Sequence, residues 1–316
     1  MAFLKGFTNL GDSTVTNHVR ENLIQFFDYG LLEKNNFENV VIPTTGYYGG
    51  SEHVLQPVDD PRYTYGQVWE AFRPNWVWQS GLSALTSTDD AHPGVSGVTV
   101  DSTFYPVTST GSFAHHVNHP LGRVVFDSAI STSSAVTCEY SYKYINVSQS
   151  DGLNWFKEIQ KRSERAENPN FPNSGDYAVL ADNRYQLPAI GIEVGGTRKG
   201  TPFQIGGGQI ITTDFYFHCV AEDVYTRDTL VDIVSLQNLH NMRAFNLNTL
   251  AESGDFPLDY KGTPVSGALL YPELLDKHKG EEIRLIDVSM DSVYSISPDI
   301  HVGTIKFTAE TILFGV

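Results

Sequence analysis

The chain has 316 residues, of which 41% are hydrophobic and 18% charged, so it holds enough apolar material to bury a core. Its 37 acidic residues outnumber 21 Lys and Arg, and the resulting charge of −16 argues against a general DNA- or RNA-binding protein. No apolar run approaches the roughly 20 residues of a membrane-spanning helix, and the first residues lack the apolar segment of a secretory signal. We expect no membrane partner.

The first half of the chain contains one clear helix, at 12–33, where apolar residues recur at helical spacing after capping residues. Residues 80–97 have the composition of a surface loop. Strands are predicted at 37–42, 97–107, 122–130 and 134–147. The last is the clearest, because apolar and polar residues alternate along it.

The second half is more regular. Helices are predicted at 152–167 and from a capping Thr226 to about Asn238. Residues 195–208 form a glycine-rich connection, and 252–282 are rich in loops. Strands are predicted at 187–194, 209–221, 283–290 and 304–314.

This order of elements predicts an α+β fold, with helices packed on a mixed, largely antiparallel sheet and a β-rich inserted region. We divide the chain into three parts. Residues 1–43 supply a helix and strand of the core, residues 44–186 form the β-rich insertion or decoration region with long loops, and residues 187–316 form a β-β-α-β-β core.

The chain shows no motif for catalysis or cofactor binding. His115, His116 and His119 are the best metal candidates, but without further ligands at zinc spacing an exposed polar loop is favoured. Successive side chains of a strand point to opposite faces, so His218 and Cys219 do not form a simple nucleophile dyad. Both cysteines, the other being Cys138, fall in apolar runs and are expected to be core thiols. We expect no enzyme, no cofactor and no metal.

A carbohydrate-binding or glycoside-hydrolase-like protein is the alternative from another class. Acids on or after predicted strands could supply paired carboxylates, and tryptophans could line a sugar cleft. The acids are Glu139, Glu193, Glu222 and Asp223, and the tryptophans are Trp69, Trp76 and Trp78.

Several segments together resemble the head-to-tail joining proteins of tailed bacteriophages, the neck, tail-terminator and tail-completion proteins. The helix at 14–33 runs into the sequence VVIP at 40–43, and QLPAIGIEV at 186–194 is followed by FQIGGGQI. The segment 214–237, DFYFHCVAEDVYTRDTLVDIVSLQ, then reads as strand, acidic turn and helix. The likeness lies in the order and texture of the segments. Members of this group are often much shorter, which makes 44–186 a large insertion.

The resemblance implies a structural virion protein without an active site, made in the host bacterial cytoplasm. It implies a homo-oligomeric ring, either a hexamer or a dodecamer. The neighbours of this ring would be connector, tail-tube or sheath proteins, and DNA would pass through its lumen without sequence-specific binding. The acidic charge would suit a negative lumen. Two aromatic groups are candidate ring interfaces; the tryptophans could equally belong to the core, and for the tyrosines the core is favoured. They are Trp69, Trp76 and Trp78, and Tyr140, Tyr142 and Tyr144.

Overall fold

The structure is a computed structural model that describes residues 11–42, 52–79, 82, 94–151, 159–160, 185–203 and 208–313. This part is rich in strands and contains four α-helices: α1 Val15–Leu32, α2 Val224–Ser235, α3 Leu247–Ser253 and α4 Tyr271–Lys277. The strands are β1 Phe37–Val40, β2 Gln56–Val58, β3 Val68–Glu70, β4 Gly97–Val100, β5 Thr103–Pro106, β6 His115–Asn118, β7 Arg123–Phe126, β8 Val136–Cys138, β9 Tyr140–Lys143, β10 Asn146–Gln149, β11 Ile159–Gln160, β12 Tyr185–Gln186, β13 Ala189–Pro202, β14 Gln209–Ala221, β15 Asn241–Met242, β16 Ile283–Ser297 and β17 Ile300–Leu313.

The largest sheet has six strands in the order β10-β13-β14-β17-β16-β15. β10 runs parallel to β13, and every other neighbouring pair is antiparallel. The predicted mixed, largely antiparallel sheet is therefore confirmed. Strand β14 has the predicted bounds, whereas β13, β16 and β17 are longer than predicted. β13 continues through most of the glycine-rich segment, past a bulge between Val194 and Arg198. Residues 195–202 were wrongly predicted as part of a loop, since they continue β13 and residues 198–202 pair with β14.

One face of this sheet shares a hydrophobic core with side chains of α1 and α2. The ring of Phe217 on β14 lies 5.3 Å from that of Phe27 on α1 and 5.2 Å from that of Phe307 on β17. Gly303 on β17 allows α2 to approach, because a Cβ there would lie 2.6 Å from a methyl of Val231. The alternation predicted for 209–221 is confirmed, with Phe215, Phe217 and Cys219 fully buried.

Two buried asparagines connect α1 and the chain after it to distant backbone. The side chain of Asn22 donates to the carbonyl of Phe245 at 3.0 Å and accepts from its N–H at 2.9 Å. Asn36 does the same to Ile145, at 2.8 and 2.7 Å. Each amide thus satisfies a buried donor and acceptor that no strand ladder reaches.

The β-rich region contains a four-stranded sheet, β2-β3-β7-β6, and a three-stranded sheet, β5-β4-β8. The predicted strand 134–147 is in fact three short strands that join three sheets. β8 pairs with β4, β9 pairs with β1, and β10 pairs with β13. Cys138, Tyr140 and Tyr142 are buried as predicted, but Ser141, which was predicted on the polar face, is buried too, so the alternation holds only in part. This run therefore connects the β-rich region to the large sheet.

Other predicted boundaries need correction. The segment 97–107 is a hairpin, turned at Asp101 and Ser102, which both have positive φ. Helix α2 is capped by Asp223, whose carboxylate accepts from the N–H of Thr226. Within the predicted helix 152–167, residues 159–160 form a strand paired with β12; the rest of that helix and most of the loop 80–97 lie outside the described residues.

Candidate functional site

The large sheet has two strand halves without a strand neighbour in the described part of the chain. β10 covers β13 over residues 189–192 and leaves residues 195–202 free on that side. β15 covers only the first two residues of β16, and residues 286–297, most of β16, have no outer strand neighbour among the described residues. We call these the β13 edge and the β16 edge.

The β16 edge exposes apolar side chains. Met290, Val293, Tyr294 and Ile296 are each between 43% and 51% exposed. Long exposed edges with apolar side chains are sites for pairing with another chain unless something covers them. Three register shifts between residues 286 and 297 mark irregular pairing with β17, and bulges of this kind twist an edge.

The two edges carry opposite charges. The β16 edge contains the exposed acids Asp287 and Asp291. The β13 edge contains the exposed Arg198 and Lys199, and the sequence has no acid between Val194 and Gln209. A positive edge and a negative edge on one subunit are complementary in a head-to-tail contact.

The sheet face opposite the helices is polar. His218 Nε2 lies 2.8 Å from Glu193 Oε2, and its Nδ1 lies 3.2 Å from the hydroxyl of Thr304. Lys306 Nζ lies 2.7 Å from Asp214, and this hydrogen bond raises the pKa of Lys306. Lys306 and His218 on this face thus each contact an acidic side chain.

The predicted aromatic interface residues are mostly core. Trp69, Trp76, Tyr140 and Tyr142 are at most 3% exposed, within a second core beneath the sheets of the β-rich region. The ring of Trp76 stacks on Tyr140 at 4.4 Å, and the indole N–H groups of both buried tryptophans donate to backbone carbonyls. These four side chains stabilise the subunit and offer no contact surface, a correction to that part of the interface prediction. The remaining two, Trp78 and Tyr144, are half-buried.

The three histidines predicted as metal candidates do not belong to a cluster of metal ligands among the described residues. His119 is buried, its Nδ1 lies 3.2 Å from the carbonyl oxygen of Gly262, and burial lowers its pKa to about 4. His115 is buried and His116 half-buried, and no group of three or more potential metal ligands occurs among the described residues.

The acids proposed for sugar chemistry have other partners. Glu139 accepts from the backbone N–H of Ile42, Glu193 pairs with His218, and Asp223 caps α2. Glu222 is half-buried just after β14. Cys219 is buried in the core on the side opposite His218, and burial raises the pKa of its thiol. The prediction that His218 and Cys219 form no dyad is confirmed.

No protein-family model and no curated protein matches this chain. None of the described helices is long and apolar enough to cross a membrane.

Proposed function

We propose that this protein is a structural protein of a tailed-bacteriophage virion. In this proposal it forms a homo-oligomeric ring at the neck, between the head connector and the tail. The observation that carries the proposal is the pair of free sheet edges with opposite charge on one subunit. A cyclic ring needs two different, complementary surfaces on each copy, and these edges meet that need.

Strand direction favours the same pairing. In the order β13-β14-β17-β16 each strand is antiparallel to the next, so β13 and β16 run in opposite directions. The β16 edge of one copy and the β13 edge of the next would therefore pair antiparallel and continue one sheet around the ring.

The stagger of the two edges supports closure of the ring into a barrel. The strand pairing allows the positions of both edges to be compared along β17. The middle of the β16 edge pairs near Thr304, and the middle of the β13 edge lies, across β14, at the level of Glu310. The offset of about six residues corresponds to about 20 Å along the strand direction. The four strands together are about 19 Å wide across the sheet, so the offset and the width are nearly equal. Pairing the edges therefore tilts the strands by roughly 45° from the ring axis, near the tilt at which β-barrels close.

In such a ring the helices lie outside and the polar sheet face lines the lumen. That face carries ion pairs, such as Lys306 with Asp214, instead of the uniformly negative lining that the sequence suggested. Paired cations offer little to passing phosphates, so DNA slides without sequence-specific binding. The neighbours in this proposal are connector, tail-tube or sheath proteins, and the protein acts without catalysis.

The test is mass measurement by light scattering with negative-stain imaging, on purified protein and on particles decorated with antibody against the chain. Rings of six or twelve copies, and antibody at the neck, are the expected results. A chain that remains monomeric at high concentration and labels no virion would refute the proposal.

A further inference from the structure

A polar pocket of about 410 Å³ lies in the β-rich region, apart from both sheet edges. Alternate residues of β6, His116 and Asn118, line it from one side. Tyr260 and Lys261, from the segment between α3 and α4, also line it. That segment is held on β6 by a hydrogen bond of 2.8 Å from the hydroxyl of Thr263 to a backbone carbonyl, so the pocket combines two parts of the chain.

Three residues that line the pocket, Asp60, Arg62 and Arg123, belong to a cluster of ion pairs. Arg123 contacts Glu70 at 2.6 Å and Asp60 at 3.3 Å, and Asp60 also pairs with Arg62 at 2.6 Å. Arg123, Glu70 and Asp60 are buried. Because these charges satisfy one another, they fix the shape of the pocket and leave recognition to the walls.

The wall groups combine one free acid with one free base. Within the described residues, the side chains of Asp127 and Lys261 make no hydrogen bond or ion pair, and Lys261 only lies over the ring of Tyr260. Burial lowers the pKa of His116, so its ring is neutral near pH 7 and offers one donor and one acceptor. Its Nδ1 is buried and unpartnered among the described residues. Tyr63 is 37% exposed and Tyr260 is 93% exposed.

We propose that this pocket binds a neutral saccharide. A strong anion would meet Asp127 and a strong cation would meet Lys261, whereas sugar hydroxyls need both donors and acceptors. The exposed tyrosine rings suit the apolar faces of a sugar ring. The site is unrelated to the buried tryptophans, and it does not depend on the proposed ring.

The test is saturation-transfer NMR and calorimetry of the full chain with four probes: methyl α-D-glucoside, methyl α-D-mannoside, methyl β-D-galactoside and N-acetylglucosamine. At least one is expected to bind, with affinity lowered about tenfold or more by Tyr63→Ala and by Asp127→Asn. Both substitutions are at pocket walls, and Asp127→Asn preserves side-chain shape. Tyr225→Ala and Asp232→Asn, at exposed sites on α2, are the matched controls and should leave binding unchanged.

Three outcomes overturn the proposal. None of the four saccharides binds, or binding is equal in the parent and both pocket variants. Alternatively, inorganic phosphate alone binds in a manner that Lys261→Gln abolishes, which would make the pocket an anion site.

Discussion

Replacing two apolar residues of the β16 edge by lysine should weaken assembly without unfolding the subunit. Val293 is 51% exposed and Ile296 is 49% exposed. Fully burying such a side chain contributes about 1.5–3 kcal/mol, so covering the exposed half of each contributes about 1 kcal/mol. Losing both contributions, about 2 kcal/mol, weakens each contact roughly 30-fold. The added positive charges face Arg198 and Lys199 of the next copy, and this repulsion weakens the contact between the two copies further.

The assay is sedimentation velocity over a concentration series, with thermal unfolding measured in parallel. We expect Val293→Lys/Ile296→Lys to shift assembly to at least 30-fold higher concentration and to change subunit stability by less than about 0.5 kcal/mol. Val224→Lys/Leu236→Lys, at exposed apolar positions of α2 and just beyond its end, is the matched control. Assembly of the β16-edge variant at the parent concentration would refute the reasoning.

Three further predictions concern stability. Gly303→Ala should cost about 1–3 kcal/mol in denaturant unfolding, because its methyl overlaps Val231; a smaller loss would mean that α2 moves freely. Burial lowers the pKa of His119 from 6.5 to about 4, so the unfolded chain binds the proton more tightly. Stability should fall by about 3 kcal/mol as pH drops from 6.5 to 4, and His119→Gln should remove that part of the pH dependence. Asn22→Ala strands a buried N–H and carbonyl and should cost roughly 2–4 kcal/mol, whereas exposed Asn17→Ala should cost little; equal losses would contradict this.

Local periodicity was sufficient to predict α1 and β14 over nearly their whole length, and to place β16 and β17. Helix α1 and strands β14, β16 and β17 each carry a repeat that one element satisfies alone. The run 134–147 also carries one repeat, but its strand partners β4, β1 and β13 lie far away in sequence. Which sheet a strand joins depends on partner strands that are distant in sequence. A local pattern of residues does not identify those partners.

The candidate site was harder to predict than the fold. Protein cores and protein interfaces are both rich in aromatic residues. The sequence therefore could not show whether Trp76 and Tyr140 lie in the core or at a contact surface. The β13 edge was interpreted as a glycine-rich loop. A usable signal was present, since the acid-free stretch around Arg198 and Lys199 contrasts with a strongly acidic chain. The pocket at His116 joins segments more than 100 residues apart, and only the fold brings them together.

Disulfide trapping between the two edges tests the proposed assembly most directly. Lys199→Cys would be combined in turn with Asp291→Cys, Ser292→Cys and Val293→Cys, to allow for the register between copies. The native thiols of Cys138 and Cys219 are buried and should not react. A head-to-tail ring predicts a ladder of covalent oligomers that ends at one largest species, in purified rings and in virions. Only monomers, or a single dimer band with nothing larger, would contradict it.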